Sequence, residues 1–345
     1  MRKKDFAMKR HLKPGEKPTL KTIARLSGLA VATVSRALGD APDISADTKV
    51  KVRRIADEVG YIPNRAGVRL RTGRTNVISL ILPVESNMTN HTAKLQSSIA
   101  HELRGTQFHL NVTPQFPDED PLKPVRYIVE NGLADGIIIN STRADDERVA
   151  YMMERKFPFA THGRTGWSDA HAYFDFDNQT FVTLAAKHLA GLGRKRIKVL
   201  LPPSGLNYTN DMMTGIIMAR DMLGVDIQAM ANLHAEMAAE QISAWFEDAK
   251  SSDQTADGYI ISSPMACIAV VDALERQGVK LGQEVDVFSR EAIPFLKYFR
   301  PQIHLMREDV GWVGTHLARA VVQAIRAPNA KPLQGLEVPN ETYIR

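Results

Sequence analysis

The stretch that most constrains this chain is a pair of short helical segments near the N-terminus, separated by a glycine. Thr19 precedes Leu20-Lys21-Thr22-Ile23-Ala24-Arg25-Leu26-Ser27. Threonine is a good N-cap, and Leu20, Ile23, Ala24 and Ser27 fall on one helical face. Gly28-Leu29 ends that helix, because glycine tolerates the left-handed backbone of a sharp C-terminal turn. Residues 31–38 predict a second helix with Val34, Ala37 and Leu38 turned inward. Ala24, Gly28 and Val34 have the small-then-apolar spacing that lets two helices cross closely, a helix-turn-helix. Ser45 caps a third expected helix, 46–59, with Val50, Ile55, Ala56 and Val59 as its core stripe. In such a unit the second helix lies in a major groove, with its N-terminal residues at the base edges. Val31, Ala32 and Arg36 are its exposed candidates, and Thr33 and Ser35 are short donors. Arg36 suits a guanine edge or a phosphate. The alternative is a plain three-helix bundle with a solvated face.

Charge separates this head from the rest. Residues 1–74 hold 18 Lys plus Arg against 7 Asp plus Glu, a balance of +11, and the remainder is −6. A basic head on an acidic body points to a polyanion as the head's partner. At 345 residues the chain exceeds one ordinary core, so two or three packed units are expected. Its single cysteine, Cys267, allows no disulfide framework, and no apolar run is long enough for a membrane span. Residues 1–17 are basic and polar with no secretory apolar core. The expected location is the cytoplasm.

Thr19-Leu20-Lys21-Thr22-Ile23-Ala24, Gly28, Ala32-Thr33-Val34-Ser35-Arg36-Ala37-Leu38, Ile44-Ser45 and Gly60-Tyr61-Ile62-Pro63-Asn64 together resemble the LacI/GalR (lactose-repressor) family. The resemblance continues more weakly to the C-terminus. It implies a homodimer with two heads on a pseudo-palindromic double-stranded DNA operator, and a ligand-binding body built like periplasmic sugar-binding proteins. On that reading Thr19 and Leu20 join Val31, Ala32, Thr33, Ser35 and Arg36 as DNA contacts. Asn64, Arg65, Arg69 and Leu70 do so from a short hinge helix, Leu70 as a wedge in the minor groove. A hinge this short is marginal in water and should order with DNA and its dimer mate; the alternative is a flexible basic linker. Gly67 departs from the family's usual Ala, and Val31 and Ala32 from its commoner polar residues. The expected domains are a disordered basic tail (1–17), a helix-turn-helix domain (18–62), a hinge (63–74) and a ligand-binding domain (75–345). Within the last, lobe 1 is expected at about 75–173 and 304–334, and lobe 2 at about 174–303 and 335–345.

Behind the hinge, strand-like and helical runs alternate, which predicts parallel, doubly wound α/β lobes behind the all-α head. Expected strands are 76–82, 109–112, 136–139, 159–162, 197–201, 258–261 and 285–289. Expected helices include 95–103, 122–131, 147–156, 181–189, 213–222, 242–249, 267–277 and 310–326, the last returning to the first lobe. Ligands bind such sheets at the carboxyl ends of strands. That rule selects Asn140, His162, Arg164, Asp211, Ser262 and Glu291 as effector-binding candidates, with Asp211 in a loop, 208–212, and Glu291 just beyond a strand. These groups suit sugar hydroxyls, and Arg164 suits a carboxylate or phosphate. Asn140 and Ser141 equally suit a helix cap, Asp177-Asn178 a cap or Asx-turn, and Arg290 and Glu291 a pair on the rim. The Met212, Met213, Met218 and Met222 spacing reads as core packing.

No dinucleotide or P-loop glycine pattern, no HExxH and no metal-spaced Cys/His set is present. No enzyme, cofactor or metal is therefore expected. The effector class that fits is a sugar, polyol or sugar acid, and repression is the expected sense. A sugar-binding protein without a regulatory role and a corepressor-dependent regulator are the other readings. The family's tetramers carry a leucine-heptad tail, which the residues up to Arg345 do not show, so a dimer is expected.

Overall fold

A computed structural model of the chain describes residues 17–61, 67, 69, 73–84, 89–249 and 256–344. The chain divides into two compact units, Met1–Thr75 and Asn76–Arg345.

The first unit holds α1 (Leu20–Ser27), α2 (Val31–Leu38) and α3 (Ala46–Val59). Thr19 and Thr22 cap α1 reciprocally: Thr22 N–H donates to Thr19 Oγ1 at 3.3 Å, and Thr19 N–H to Thr22 Oγ1 at 3.1 Å. Gly28 takes φ +71, and its N–H closes the helix on the Ala24 carbonyl at 3.0 Å. The shared core is Ile23, Ala24, Val34, Ala37, Val52, Ile55, Ala56 and Val59. The expected stripe of α3 was wrong at one position: Val52 is buried and Val50 is 66% exposed. Val52 lies three, four and seven residues before Ile55, Ala56 and Val59, whereas Val50 is about 200° around the helix from Val52. Of the expected hinge, Gly67 and Arg69 have helical backbone. Asn64, Arg65 and Leu70 lie outside the described residues, as do 1–16.

The second unit contains two all-parallel sheets. The first has order β11-β5-β4-β3-β1-β2 and the second β10-β9-β8-β6-β7. The first is built from β1 (Val77–Pro83), β2 (His109–Gln115), β3 (Gly136–Ile139), β4 (Phe159–His162), β5 (Ala172–Phe176) and β11 (Gln334–Glu337). It carries α4 (Thr89–Glu102), α5 (Leu122–Glu130), α6 (Glu147–Glu154) and α12 (Val310–Arg326). The second comprises β6 (Arg196–Leu200), β7 (Asp226–Ala229), β8 (Gly258–Ile261), β9 (Asp286–Glu291) and β10 (His304–Arg307). With it go α7 (Asn178–Gly191), α8 (Asn207–Leu223), α9 (Ala239–Ala249), α10 (Pro264–Arg276) and the single turn α11 (Leu296–Phe299). Central strands such as β3 and β8 are apolar and buried along their whole length, as both-face coverage requires. Helices α7 and α8 approach closely at Gly215, where a Cβ would stand 2.7 Å from the Gln179 carbonyl oxygen.

Four strands had no expectation in the sequence: β5, β7, β10 and β11. β5 carries Asp175 inside an apolar run, and the other three are four-residue segments with a polar residue at one or both ends. β10 hydrogen-bonds to β9 in the second sheet and β11 to β5 in the first. The expected lobe crossings at 304 and 335 therefore move past β10 and β11. Helix α12 does return to the first lobe, where Val310, Val313, Leu317 and Val321 join its core. The expected loop 208–212 is instead the first turn of α8. The methionine reading also needs correction: Met212 is fully buried, but Met213, Met218 and Met222 are 38–59% exposed on α8.

Candidate functional site

In the head, Val31, Ala32 and Arg36 are exposed on α2, and Thr33 and Ser35 are half-buried. Ala30 offers no side chain to cap α2, so its first N–H groups remain for water or a phosphate oxygen. Arg36 pairs with the exposed Asp43. An exposed pair of this kind is weak, so a phosphate or guanine can compete for the guanidinium. Thr19 is exposed but spent on the cap, and Leu20 packs partly against the core. The geometry sets Val31, Ala32 and Arg36 apart as the outward face.

In the body, the carboxyl ends of both sheets meet across a cleft. Its first cavity, about 60 Å³, is lined from the first lobe by His91, Asn140 and His162, and from the second by Asn178, Tyr208 and Arg290. A second, of about 30 Å³, is lined by Ser262, Met265, Glu291 and Phe295, and shares His91, Arg290 and Glu308 with the first. Arg290 organises both. Its Nη1 donates to Asn178 Oδ1 at 2.7 Å and its Nε to the Ser262 carbonyl at 3.0 Å. The same guanidinium lies over the rings of Phe176 and Phe181, at 5.6 and 5.5 Å from their centroids. Its Nε is also 3.7 Å from Glu308 Oε2. Burial pushes the Glu308 carboxyl up, but Arg290 and the His91 hydrogen bond outweigh it and hold the group down at about 2. Burial, then the neighbouring His91, pushes His162 down to about 3.

The expected candidates separate into three groups. Asn140 and His162 line the first cavity, and Ser262 and Glu291 the second. Asn140 caps no helix: Asp146 caps α6, and Asn140 Oδ1 is buried with no partner among the described residues. Arg164 and Asp211 line neither cavity. Arg164 instead bridges the lobes, donating from Nε to Asp175 and from Nη2 to Asp211, each at 2.8 Å. Burial raises both carboxyls, and Arg164 opposes that rise in each. Asn207 N–H donates across the same seam to the Thr142 carbonyl at 2.8 Å.

Arg290 and Glu291 are not a rim pair. Both lie in β9, whose six residues are all buried. Glu291 accepts from the N–H groups of Phe295 and Leu296 at 3.0 and 3.1 Å. Asp177 caps α7, accepting from Thr180 N–H at 2.9 Å, while its neighbour Asn178 faces Arg290. His91 and Glu308 were missed as site residues, and Tyr208 fell in the selected stretch 208–212 without being singled out. Glu308 follows an unexpected strand, and the other two sit on helices whose direction no local pattern gives.

Residues 19–64 match the lacI family of bacterial regulatory proteins, and residues 186–345 match a periplasmic binding protein-like domain. The HTH-type transcriptional regulator AglR of Rhizobium meliloti (strain 1021) is 27% identical over 323 residues, covering 92% of this chain and 90% of AglR. The head is a lacI-family DNA-binding domain. Another relative, the HTH-type transcriptional regulator RafR of Escherichia coli, is 34% identical over 192 residues, covering 55% of this chain and 57% of RafR. Among solved structures, the Lac repressor dimer bound to operator and the anti-inducer ONPF superposes with a TM-score of 0.78 at 17% identity, covering 94% of this chain and 97% of that one. A transcriptional regulator CelR–cellobiose complex gives 0.68 at 19% identity, covering 95% and 98%. With that head the chain is a DNA-binding transcription regulator, and its relatives are regulators rather than enzymes. Among the described residues no helix is long and apolar enough to cross a membrane.

Proposed function

We propose that this lacI-family regulator is a homodimeric repressor, acting in the cytoplasm, whose operator affinity is set by a sugar, polyol or sugar acid bound between the lobes of its body. The observation that carries the reading is the convergence of polar groups from both lobes at the carboxyl ends of the two sheets. Asn140 and His162 come from one side, and Asn178, Tyr208 and Arg290 from the other. Asn140 Oδ1, buried and unpartnered, is an acceptor that a ligand hydroxyl would satisfy. Phe176 supplies an apolar wall for a sugar's C–H face. A relative in fold, CelR, is described in complex with cellobiose, which supports the ligand class. Arg290 favours a ligand with an acidic or strongly accepting group, provided that it yields Asn178 to the ligand.

Cavities of about 60 and 30 Å³ are smaller than ordinary small-molecule sites of a few hundred Å³. A sugar therefore enters by parting the lobes. The Arg164–Asp211 pair and the Asn207–Thr142 hydrogen bond are the contacts that this motion must break or reshape. A ligand that binds one arrangement more tightly shifts the balance between the two, and with it the spacing of two dimer-related heads.

The test is selection of bound DNA from a random pool, repeated with a panel of sugars and sugar acids. The expected outcome is a pseudo-palindromic site whose recovery falls with at least one panel member. Recovery that rises with ligand identifies a corepressor-dependent regulator instead. A selected site indifferent to the whole panel removes the proposed effector class.

A further inference from the structure

Three side chains far apart in the sequence meet at the floor of the cleft: His91 on α4, His162 at the end of β4, and Glu308 just after β10. One ring nitrogen of each histidine and one carboxylate oxygen lie within 4.8 Å of one another. His91 Nε2 is 3.5 Å from Glu308 Oε1, and the two imidazoles are stacked with centroids 5.3 Å apart and planes 4° from parallel. Neither ring nitrogen of His162 hydrogen-bonds to a described residue, and the ring opens onto the cavity. Packing alone does not call for two facing imidazoles and an acid here.

We propose that His91, His162 and Glu308 form a binding site for a divalent transition-metal ion of the zinc class. Two imidazoles and one carboxylate are the donor set such ions take, whereas magnesium and calcium ask for oxygen ligands. With bonds of roughly 2.0–2.1 Å, neighbouring ligand atoms around a tetrahedral ion lie about 3.4 Å apart. The His91–Glu308 edge already has that length. The edges to His162, no longer than 4.8 Å, must close by at most about 1.4 Å, with a tilt that takes the two rings out of parallel so that their lone pairs converge. Arg290 acts as the orienting partner: it faces Glu308 Oε2 and leaves Oε1 turned toward His91. Its positive charge also discriminates against ions held by electrostatics alone.

The site has three protein ligands and opens on the cavity. Its remaining position would go to water or to an oxygen of whatever ligand occupies the cleft. Glu308 lies on the strand-to-helix crossing between β10 of the second lobe and α12 of the first, while both histidines belong to the first. A bound ion would thus tie the crossing to α4 and β4 and resist parting of the lobes. The inference stands apart from the identity of the organic effector.

The experiment uses the untagged full-length chain, treated with chelator and then titrated with Zn²⁺ by calorimetry and with Co²⁺ by visible absorption. The expected result is one ion per chain and the intense visible bands of a low-symmetry Co²⁺ site, with Mg²⁺ giving no binding. His162→Gln and His91→Gln should each lower Zn²⁺ affinity by at least the roughly 10–100-fold that losing an outer-shell partner costs. If His162→Gln loses its native circular dichroism, His91→Gln carries the test alone. Absence of a stoichiometric Zn²⁺ site, or Zn²⁺ affinity unchanged in the folded variants, overturns the proposal. No sugar is present in these titrations, so their failure leaves the effector reading intact, and an indifferent sugar panel leaves the metal site intact.

Discussion

Arg164 and Arg290 show how little a residue's type says about its task. Both follow the rule that polar groups gather at strand ends, yet one bridges the lobes and the other lines both cavities. Arg290→Ala should abolish the effector response while leaving operator binding of the free protein near wild type, measured by DNA titration with and without effector. Arg164→Ala acts differently. It leaves Asp175, whose side chain is 6% exposed, without its counter-ion and should cost about 1–3 kcal/mol in denaturant unfolding. It should also alter the ligand midpoint without removing the response; complete loss of response with unchanged stability would return Arg164 to the ligand site. On the head, Arg36 is tied to an exposed acid, Asp43. Arg36→Ala should cost about 1–3 kcal/mol in specific DNA binding at fixed salt, and equal operator affinity of mutant and wild type would exclude Arg36 as a direct contact.

At the scale of elements, the expected hinge helix turns on the helix propensity of Gly67. Glycine in a helix interior costs about 1 kcal/mol relative to alanine. Gly67 has helical backbone, and a Cβ built there meets nothing within 4 Å in this chain. Gly67→Ala should therefore favour the helical hinge, tighten operator binding by up to about tenfold per dimer or more, and raise the effector concentration needed for release. Operator affinity across an effector titration reads both effects. Weaker binding by the variant would mean that DNA or the partner hinge approaches the backbone too closely for a methyl group. In the body, the element that most changes the site is β9. Its run into Arg290 and Glu291 carries two charges into a fully buried strand, each met by fixed partners.

For the whole molecule, pH dependence follows from the chain crossings. Glu337, at the end of β11, is pushed up to about 7 by burial first, then by the nearby Glu308 and Asp309 carboxylates. A hydrogen bond with Tyr343 and one from the Asp309 backbone oppose the shift. Since the folded chain holds this proton when the unfolded chain has released it, stability should fall as pH rises from about 4.5 to about 7. Glu337→Gln should flatten that part of the profile and be the more stable protein at pH 8, as followed by thermal unfolding across buffers. An unchanged slope would assign the dependence to other groups.

The head was legible almost residue by residue because its signals are local. A capping threonine, a glycine at a left-handed turn and an apolar stripe each act within a few residues, and the one error, Val50 for Val52, was a choice of face on a correctly placed helix. The alternating strands and helices of the body were legible for the same reason, and so was the class of group at the strand ends. Short strands such as β10 and β11 were not, because four residues with polar ends owe their conformation to the neighbours they pair with. The cleft itself belongs to tertiary structure. His91, His162 and Glu308 converge only after two sheets form and the chain crosses between them, and the partner of Arg164 depends on how α8 meets the first lobe. Sequence determined which chemistry lines the strand ends; folding decided which of those groups face the cleft and which spend their charge on one another.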